Sequence, residues 1–356
     1  MNISRELTAK EKLKPLFDDP LKLSFGRNFT DHMFSMNYSG SGWHNPSIKP
    51  FQPLVLSPAA NVFHYSQEVF EGQKAYKSKK NEILLFRPQE NARRLNRSLQ
   101  RLCMPEIPEE LFLEAECELL KLEERWIPTQ MGTSLYMRPT VIGTEAALGV
   151  KPSNEYLFYI ILSPVGPYFK EGFNPIGLWV SDTYSRAGSG GTGEAKTGGN
   201  YAGSLLATRE ATQKGYSQVL WLDAGEHRFV EEVGAMNIFF ILDGKLVTPA
   251  LDGTILHGIT RKSVLELAPE LGLAVEERRI AIEEVIDEIH SGKLTEIFGA
   301  GTAAVISPVG KIAFQGRDHI INGNQTGPWA QKFFATLTGI QYGEIEDKHG
   351  WVFKVK

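Results

Sequence analysis

The amino-acid sequence predicts a two-domain protein of the α+β or mixed α/β class, on three observations. The chain has 356 residues, more than one ordinary core organises. Short apolar runs of strand type are interleaved with segments whose leucines recur at helical spacing. A Pro/Gly-rich stretch with aromatics, Pro164 to Pro175, separates two such mixed halves. The expected layout is a smaller N-terminal α/β domain over 1–165, a linker over 166–175 and a larger C-terminal domain over 176–356, with a ligand site near their junction.

The elements follow in order. Glu82 to Phe86 reads as a buried strand that ends at Arg87-Pro88. Glu90 to Cys103 carries Leu95, Leu99 and Leu102 at helical spacing, with arginines on the other face. Pro108 to Trp126 reads as a second amphipathic helix, opened by proline and glutamates and stopped at Pro128. Strands are expected at Thr133–Met137, Tyr156–Leu162, Ile176–Ser181 and Val219–Leu222, and a hairpin around Asp243-Gly244. Helices are expected at Leu205–Lys214, Arg261–Leu271, Ile282–His290 and Trp329–Leu337, and further strands at Ala274–Ile280 and near Ile297 and Val305.

Composition removes several function classes. A hydrophobic content of 42%, charged content of 22% and formal net charge of −4 suit a soluble globular protein and give no footprint for nucleic acid. The first residues lack the apolar run of a signal peptide, and the apolar run Tyr156–Leu162 is too short to span a membrane. Cys103 and Cys117 form no CxxC pair, so free thiols in a reducing cytoplasm are expected. The histidines are scattered without ligand spacing, so no metal is expected.

The chemistry concentrates at Ala195-Lys196-Thr197-Gly198-Gly199-Asn200-Tyr201, which follows the run Gly188-Ser189-Gly190-Gly191-Thr192-Gly193. A lysine between glycines meets a ligand without side-chain obstruction. It suits a Schiff base with an aldehyde cofactor, or a point charge on phosphates. The second use is close to a phosphate-binding GxxxxGK[ST] loop, with Val219 to Asp223 as the strand whose Asp reaches Mg²⁺. Against it, Ala195 stands where that loop needs glycine. Gly198-Gly199 also fall where a helix should start, at roughly 2 kcal/mol of lost propensity. A solvated lysine on a surface loop is the plain alternative.

For the Schiff-base reading, a pyridoxal cofactor needs an anion on its ring nitrogen, a phosphate cup and a hydroxyl near its ring oxygen. Glu231-Glu232 ahead of an apolar strand offers the carboxylate, or is an ordinary solvated pair. His257-Gly258-Ile259-Thr260-Arg261 enters a helix whose amides and positive end can hold a phosphate, or is a routine helix start capped by Thr260.

Taken together, the strings Phe86 to Leu95, Ser134-Leu135-Tyr136-Met137-Arg138-Pro139, Lys196 to Tyr201, Glu232 to Asn237, Gly258 to Arg261 and Gly299 to Ala303 stand in one order. That order resembles the branched-chain amino acid aminotransferases, which are fold-type IV pyridoxal phosphate enzymes. The resemblance includes Phe25-Gly26, Thr30 to Met33 and Tyr65 to Gly72, and it reaches Ile340 to Gly343, nearly the whole chain. It implies pyridoxal 5′-phosphate as cofactor at the domain junction, a homodimer, and transfer of the amino group of L-leucine, L-isoleucine or L-valine to 2-oxoglutarate. It also implies roles. Lys196 binds the cofactor covalently and shuttles the substrate proton. Glu232 pairs with the ring nitrogen, and Tyr201 bonds the ring oxygen. Arg94, rather than Arg93, clamps the phosphate with the amides of Ile259 and Thr260 and with Thr302. Tyr136 and the amides of Thr302-Ala303 take the α-carboxylate, and Arg138 the distal carboxylate of glutamate. Phe25, Tyr65, Phe70 and Tyr168 wall an apolar pocket.

Two departures from the resemblance are visible. Ala235 stands where many relatives have a hydroxyl residue, and Ala304 to Ser307 replaces a CxxC pair, which rules out a thiol switch there. A D-amino acid aminotransferase or an aminodeoxychorismate lyase shares the lysine and glutamate but should lack Ser134 to Pro139. A protein that only stores or senses the cofactor would show no half-transamination.

Overall fold

The computed structural model describes residues 2–168 and 173–356. Its contacts divide the chain into two units: Met1–Tyr168 with Ala195–Gly198 and Gly339–Lys356, and Phe169–Glu194 with Gly199–Thr338. Mixed sheets and helices in both units make the class α+β.

The first unit is built on strands β1 (Ser4–Arg5), β2 (His32–Ser39), β3 (Gly42–Pro50), β4 (Glu68–Phe70), β5 (Gln73–Lys77), β6 (Ile83–Phe86), β7 (Ser134–Gly143) and β8 (Tyr156–Val165). They form one sheet in the order β1-β3-β2-β8-β7-β5-β6, completed by the C-terminal strand Val352–Lys354, with β4 also paired to β7. Helices α1 (Asn61–Tyr65), α2 (Pro88–Arg101) and α3 (Glu109–Leu122) accompany it. The helical spacing seen in the sequence explains the packing: Leu95 and Leu99 of α2 and Phe112, Ala115 and Leu119 of α3 are fully buried. They share one core with Val69, Leu135, Met137 and Val141, which face the helices from the sheet. The alternate residues of β7, Tyr136 and Arg138, therefore stand on the opposite face. That face carries the site.

The second unit holds β9 (Ile176–Ser181), β10 (Gln218–Leu222), β11 (Val230–Val233), β12 (Met236–Leu242), β13 (Lys245–Thr248), β14 (Ala274–Glu277), β15 (Leu294–Gly301), β16 (Val305–Phe314) and β17 (Arg317–Ile320). Their order is β11-β10-β9-β16-β15-β12-β13-β14, and β11 pairs with β12 as well. Six of these strands thus close into a ring, while β13 and β14 extend from β12, and β17 pairs with β16. Helix α4 (Gly198–Gly203) follows the lysine, and α5 (Leu205–Gln213), α6 (Ile259–Glu270), α7 (Ile282–Ser291) and α8 (Pro328–Gln341) complete the list.

The division expected at 165 and 176 differs from these units in two respects. The lysine segment 195–198 contacts the first unit, because it lies along β4. The last residues return there too, because Val352–Lys354 pairs with β6. The first unit consequently holds the more residues. Part of the expected linker, 169–172, lies outside the described residues. Helix α4 begins at Gly198 despite the glycine pair, because the carboxylate of Glu68 accepts the Gly198 amide at 2.7 Å. The hairpin β2–β3 is an element that the sequence does not announce.

Candidate active site

In the first unit, the chain at Lys196 is held as an added strand on β4. The Phe70 amide donates to Lys196 O at 3.0 Å, and Val69 and Thr197 form an antiparallel bridge. The Lys196 amide donates to Ser98 Oγ of α2 at 2.9 Å, and Thr197 Oγ1 donates to Glu68 O at 2.7 Å. Ala195 and Thr197 are buried on either side. The backbone is fixed, while the Lys196 Nζ lies over the Phe70 ring, 4.8 Å from its centroid.

Phe70 also carries Arg138, whose guanidinium lies 4.6 Å from the ring centroid. Arg138 Nη2 donates to Tyr136 Oη at 2.9 Å. Phe25 packs edge-on against Tyr136 at 4.7 Å and against Tyr168 at 5.3 Å. Five expected substrate residues, Phe25, Phe70, Tyr136, Arg138 and Tyr168, and the lysine are thereby joined by contact. Tyr65 is not among them. Its hydroxyl donates to Leu148 O, and 39% of the residue is exposed. Within one chain, Tyr65 does not wall this cluster.

Arg94 is buried on α2. Its Nε and Nη2 grip Glu71 Oε1 and Oε2 at 2.7 and 2.8 Å, the two-pronged geometry that suits guanidinium. Asn91 Nδ2 donates to the same carboxylate at 2.8 Å. Burial works against the Glu71 charge, yet Arg94 outweighs it and holds the carboxyl below its usual range. Arg93 turns outward to Glu109 at 3.2 Å.

In the second unit, the two-residue turn Gly234-Ala235 joins β11 to β12 and sets Glu232 opposite Asn237. Gly234 takes φ +56°, a left-handed backbone that such a turn needs. Asn237 Nδ2 donates to Glu232 Oε1 at 3.1 Å, and Arg186 forms an ion pair with the same carboxylate. Both charges are buried. Arg186 Nη2 also donates to Gly193 O at 2.9 Å, so the glycine-rich run is tied to Glu232 through one arginine. Glu231 points elsewhere, accepting from Thr254 Oγ1 at 2.6 Å.

Helix α6 starts at Ile259 with Gly258 as its N-cap and no side-chain cap. The amides of Ile259 and Thr260 therefore have no partner within the helix and meet the positive end of its dipole. A side chain at 258 would collide with Asn237 Oδ1, so only glycine permits this approach. Thr302 and Ala303 form a partly exposed turn between β15 and β16. Tyr201 lies in α4.

Sequence spacing marks no role for Glu68, Glu71, Lys74 or Arg186. Lys74 is the cross-strand neighbour of Tyr136, and burial pulls its ammonium down to about 8. Glu71 stands inside one of the family strings, but its partner lies on another element. Arg186 carries no signal, since its partner is distant in sequence.

The Amino-transferase class IV family model matches residues 68–312. Branched-chain-amino-acid aminotransferase 2 of Bacillus subtilis is 54% identical over 351 residues, covering 98% of this chain and 96% of its own. The chain belongs to the branched-chain amino acid aminotransferases of class IV. The solved Escherichia coli branched-chain amino acid aminotransferase superposes with a TM-score of 0.78 at 28% identity, over 92% of this chain and 99% of that one. The Thermoproteus uzoniensis branched-chain aminotransferase, solved with norvaline, gives 0.77 at 26% identity, over 91% and 100%. An aminotransferase of this class works with pyridoxal 5′-phosphate. Among the described residues, no helix is long and apolar enough to cross a membrane, and no group of three or more His, Cys, Asp and Glu side chains could hold a metal ion.

Proposed function

We propose that this aminotransferase moves the amino group of L-leucine, L-isoleucine or L-valine to 2-oxoglutarate, and the reverse, with Lys196 as its catalytic residue. The observation that carries this reading is the contact cluster Lys196–Phe70–Arg138–Tyr136–Phe25, an amine and a cation set among aromatic walls. The donor set fits pyridoxal phosphate: a primary amine, a buried carboxylate at Glu232 and an uncapped helix start at Gly258. When bound, the cofactor supplies an electron sink for the bonding pair left at the substrate Cα.

The protein supplies the rest. Lys196 would hold the cofactor covalently, and once the amino acid displaces it as a free amine its Nζ would move the proton from the substrate Cα. Glu232, paired with Arg186, holds the proton on the ring nitrogen. Tyr201 bonds the ring oxygen. Arg94, Thr302 and the amides of Ile259 and Thr260 hold the phosphate, where the helix dipole favours an anion. Tyr136 and the amides at Thr302 and Ala303 orient the α-carboxylate. Phe25, Phe70 and Tyr168 exclude water from the side chain of the amino acid. Arg138 reads the second carboxylate of glutamate with its planar fork.

A pocket serving leucine and glutamate in turn needs an apolar wall and a reachable cation. Arg138→Gln is expected to raise KM for glutamate about tenfold or more, and to change leucine by less than about threefold. Steady-state kinetics with each donor and its matching 2-oxo acid checks this. Equal losses for both donors would make Arg138 structural.

We also infer a homodimer working in the cytoplasm. Val55, Phe63, Leu148 and Val150 are 97, 61, 64 and 86% exposed in the first unit, and apolar exposure on this scale favours a partner surface. Cys103 and Cys117 are both free thiols, which suits a reducing compartment.

A further inference from the structure

Glu68 precedes Phe70 by two residues on β4, so both side chains stand on the face that carries Arg138 and Lys196. Its main chain and its carboxylate each take hold of the lysine segment. Glu68 O accepts from Thr197 Oγ1 at 2.7 Å, and Glu68 Oε2 accepts from the Gly198 amide at 2.7 Å. A side chain at 198 would collide with that oxygen. The carboxylate also lies within electrostatic reach of Arg138 and Lys196 and acts on the half-buried Tyr159 of β8. It is a partly buried anion near Arg138 and Lys196.

We propose that Glu68 is a positioning residue: it clips the backbone that carries Lys196 onto β4, and it serves as the internal counter-ion of Arg138 when an apolar side chain occupies the pocket. The second part rests on the reading of Arg138 as the group that takes glutamate's distal carboxylate.

The physical need is specific to an enzyme with two unlike donors. With leucine bound, Arg138 faces methyl groups, and a desolvated cation is less costly when an anion lies near it. Glu68 supplies negative charge from within the protein. With glutamate bound, the distal carboxylate supplies it, and Glu68 then repels the incoming anion. Glu68 therefore favours leucine at the expense of glutamate. Burial raises the Glu68 carboxyl, and the Gly198 amide, Arg138 and Lys196 act in the opposite direction. Glu71, held by Arg94, is another charge near Lys196 among the described residues.

Glu68→Gln keeps the shape and a carbonyl acceptor for the Gly198 amide but removes the charge. The ratio of kcat/KM for glutamate to that for leucine is expected to rise about tenfold, because the charge that opposes the second carboxylate is removed. Glu68→Asp, which retains the charge, should restore most of the original ratio. The pH midpoint of the holoenzyme's visible absorption should fall in E68Q, because an anion near Lys196 is gone. In cofactor-free protein, Glu68→Ala should speed hydrogen exchange of the peptide covering 195–200, while E68Q leaves it protected.

An E68Q ratio that stays within twofold of the parent, or falls, overturns the counter-ion role. Unchanged exchange in E68A overturns the positioning role. The Arg138 variant separates the two possible failures. If R138Q impairs both donors equally, it is the Arg138 reading that fails, whereas a selective R138Q with an unmoved E68Q ratio sinks only the role of Glu68.

Discussion

Replacing Lys196 by alanine is expected to lower transamination by about 10⁴-fold or more, because proton transfer at Cα alone is worth about 10²–10⁴ and covalent attachment is lost with it. The fold should survive. The segment is held by main-chain bonds to Ser98 Oγ and to the Phe70 amide and by the Val69–Thr197 bridge, none of which uses the amine. The Nζ contact with the Phe70 ring is of a kind worth about 0.5–1 kcal/mol at exposed sites. Melting temperatures of the cofactor-free proteins should therefore agree within a few degrees. Turnover within tenfold of the parent would remove Lys196 from the mechanism.

The second large effect concerns stability. Arg94→Leu leaves the Glu71 carboxylate buried without its cation, and breaking such a pair from one side costs about 3–5 kcal/mol. Removing both partners, Arg94→Leu with Glu71→Leu, should cost distinctly less, because no charge is then left unpaired. Denaturant unfolding of the cofactor-free proteins checks this. Equal destabilisation by the single and double variants would contradict it. The pair also gives a pH signature. Glu71 titrates below its usual range in the folded chain, so its stabilisation is present above the unfolded carboxyl value near 4.5 and is lost as pH falls through the lower folded value. Arg94→Leu should abolish that part of the acid sensitivity. Loss of Arg94 should weaken cofactor binding as well, through the phosphate contact proposed for it.

How much of this was legible in the sequence depends on whether a signal is local. Helices α2 and α3 were readable because their leucines repeat on one face, and Leu95, Leu99 and Leu119 are fully buried. The strand Ile176–Ser181 and the turn at Asp243-Gly244 were readable because apolar runs end at turn residues. Strand β2 has no alternation to read: five successive residues from His32 are buried on both faces. Its partner β3 contains Pro46 and Pro50, which argue against a strand. Strand β7 runs six residues past its expected end, to Gly143, since Pro139 suggests a stop and the long pairing with β8 overrides it.

The site divides in the same way. Lys196, Glu232 and the Gly258 helix start are visible as short strings with a chemical reason for each residue type. The charges that hold them are not. Glu68, Glu71 and Arg186 act on groups 130, 23 and 46 positions away, and sequence spacing does not carry such pairings. Tyr65 shows the reverse, a residue expected in the pocket wall that this chain places against Leu148.

The central claim is tested most directly by the visible absorption spectrum of the purified protein, before and after excess L-leucine. The expected result is a visible band of bound pyridoxal phosphate that L-leucine converts to the spectrum of the pyridoxamine form and 2-oxoglutarate restores. A protein that shows no such band after added pyridoxal phosphate, or a band that leucine leaves unchanged, would contradict the account.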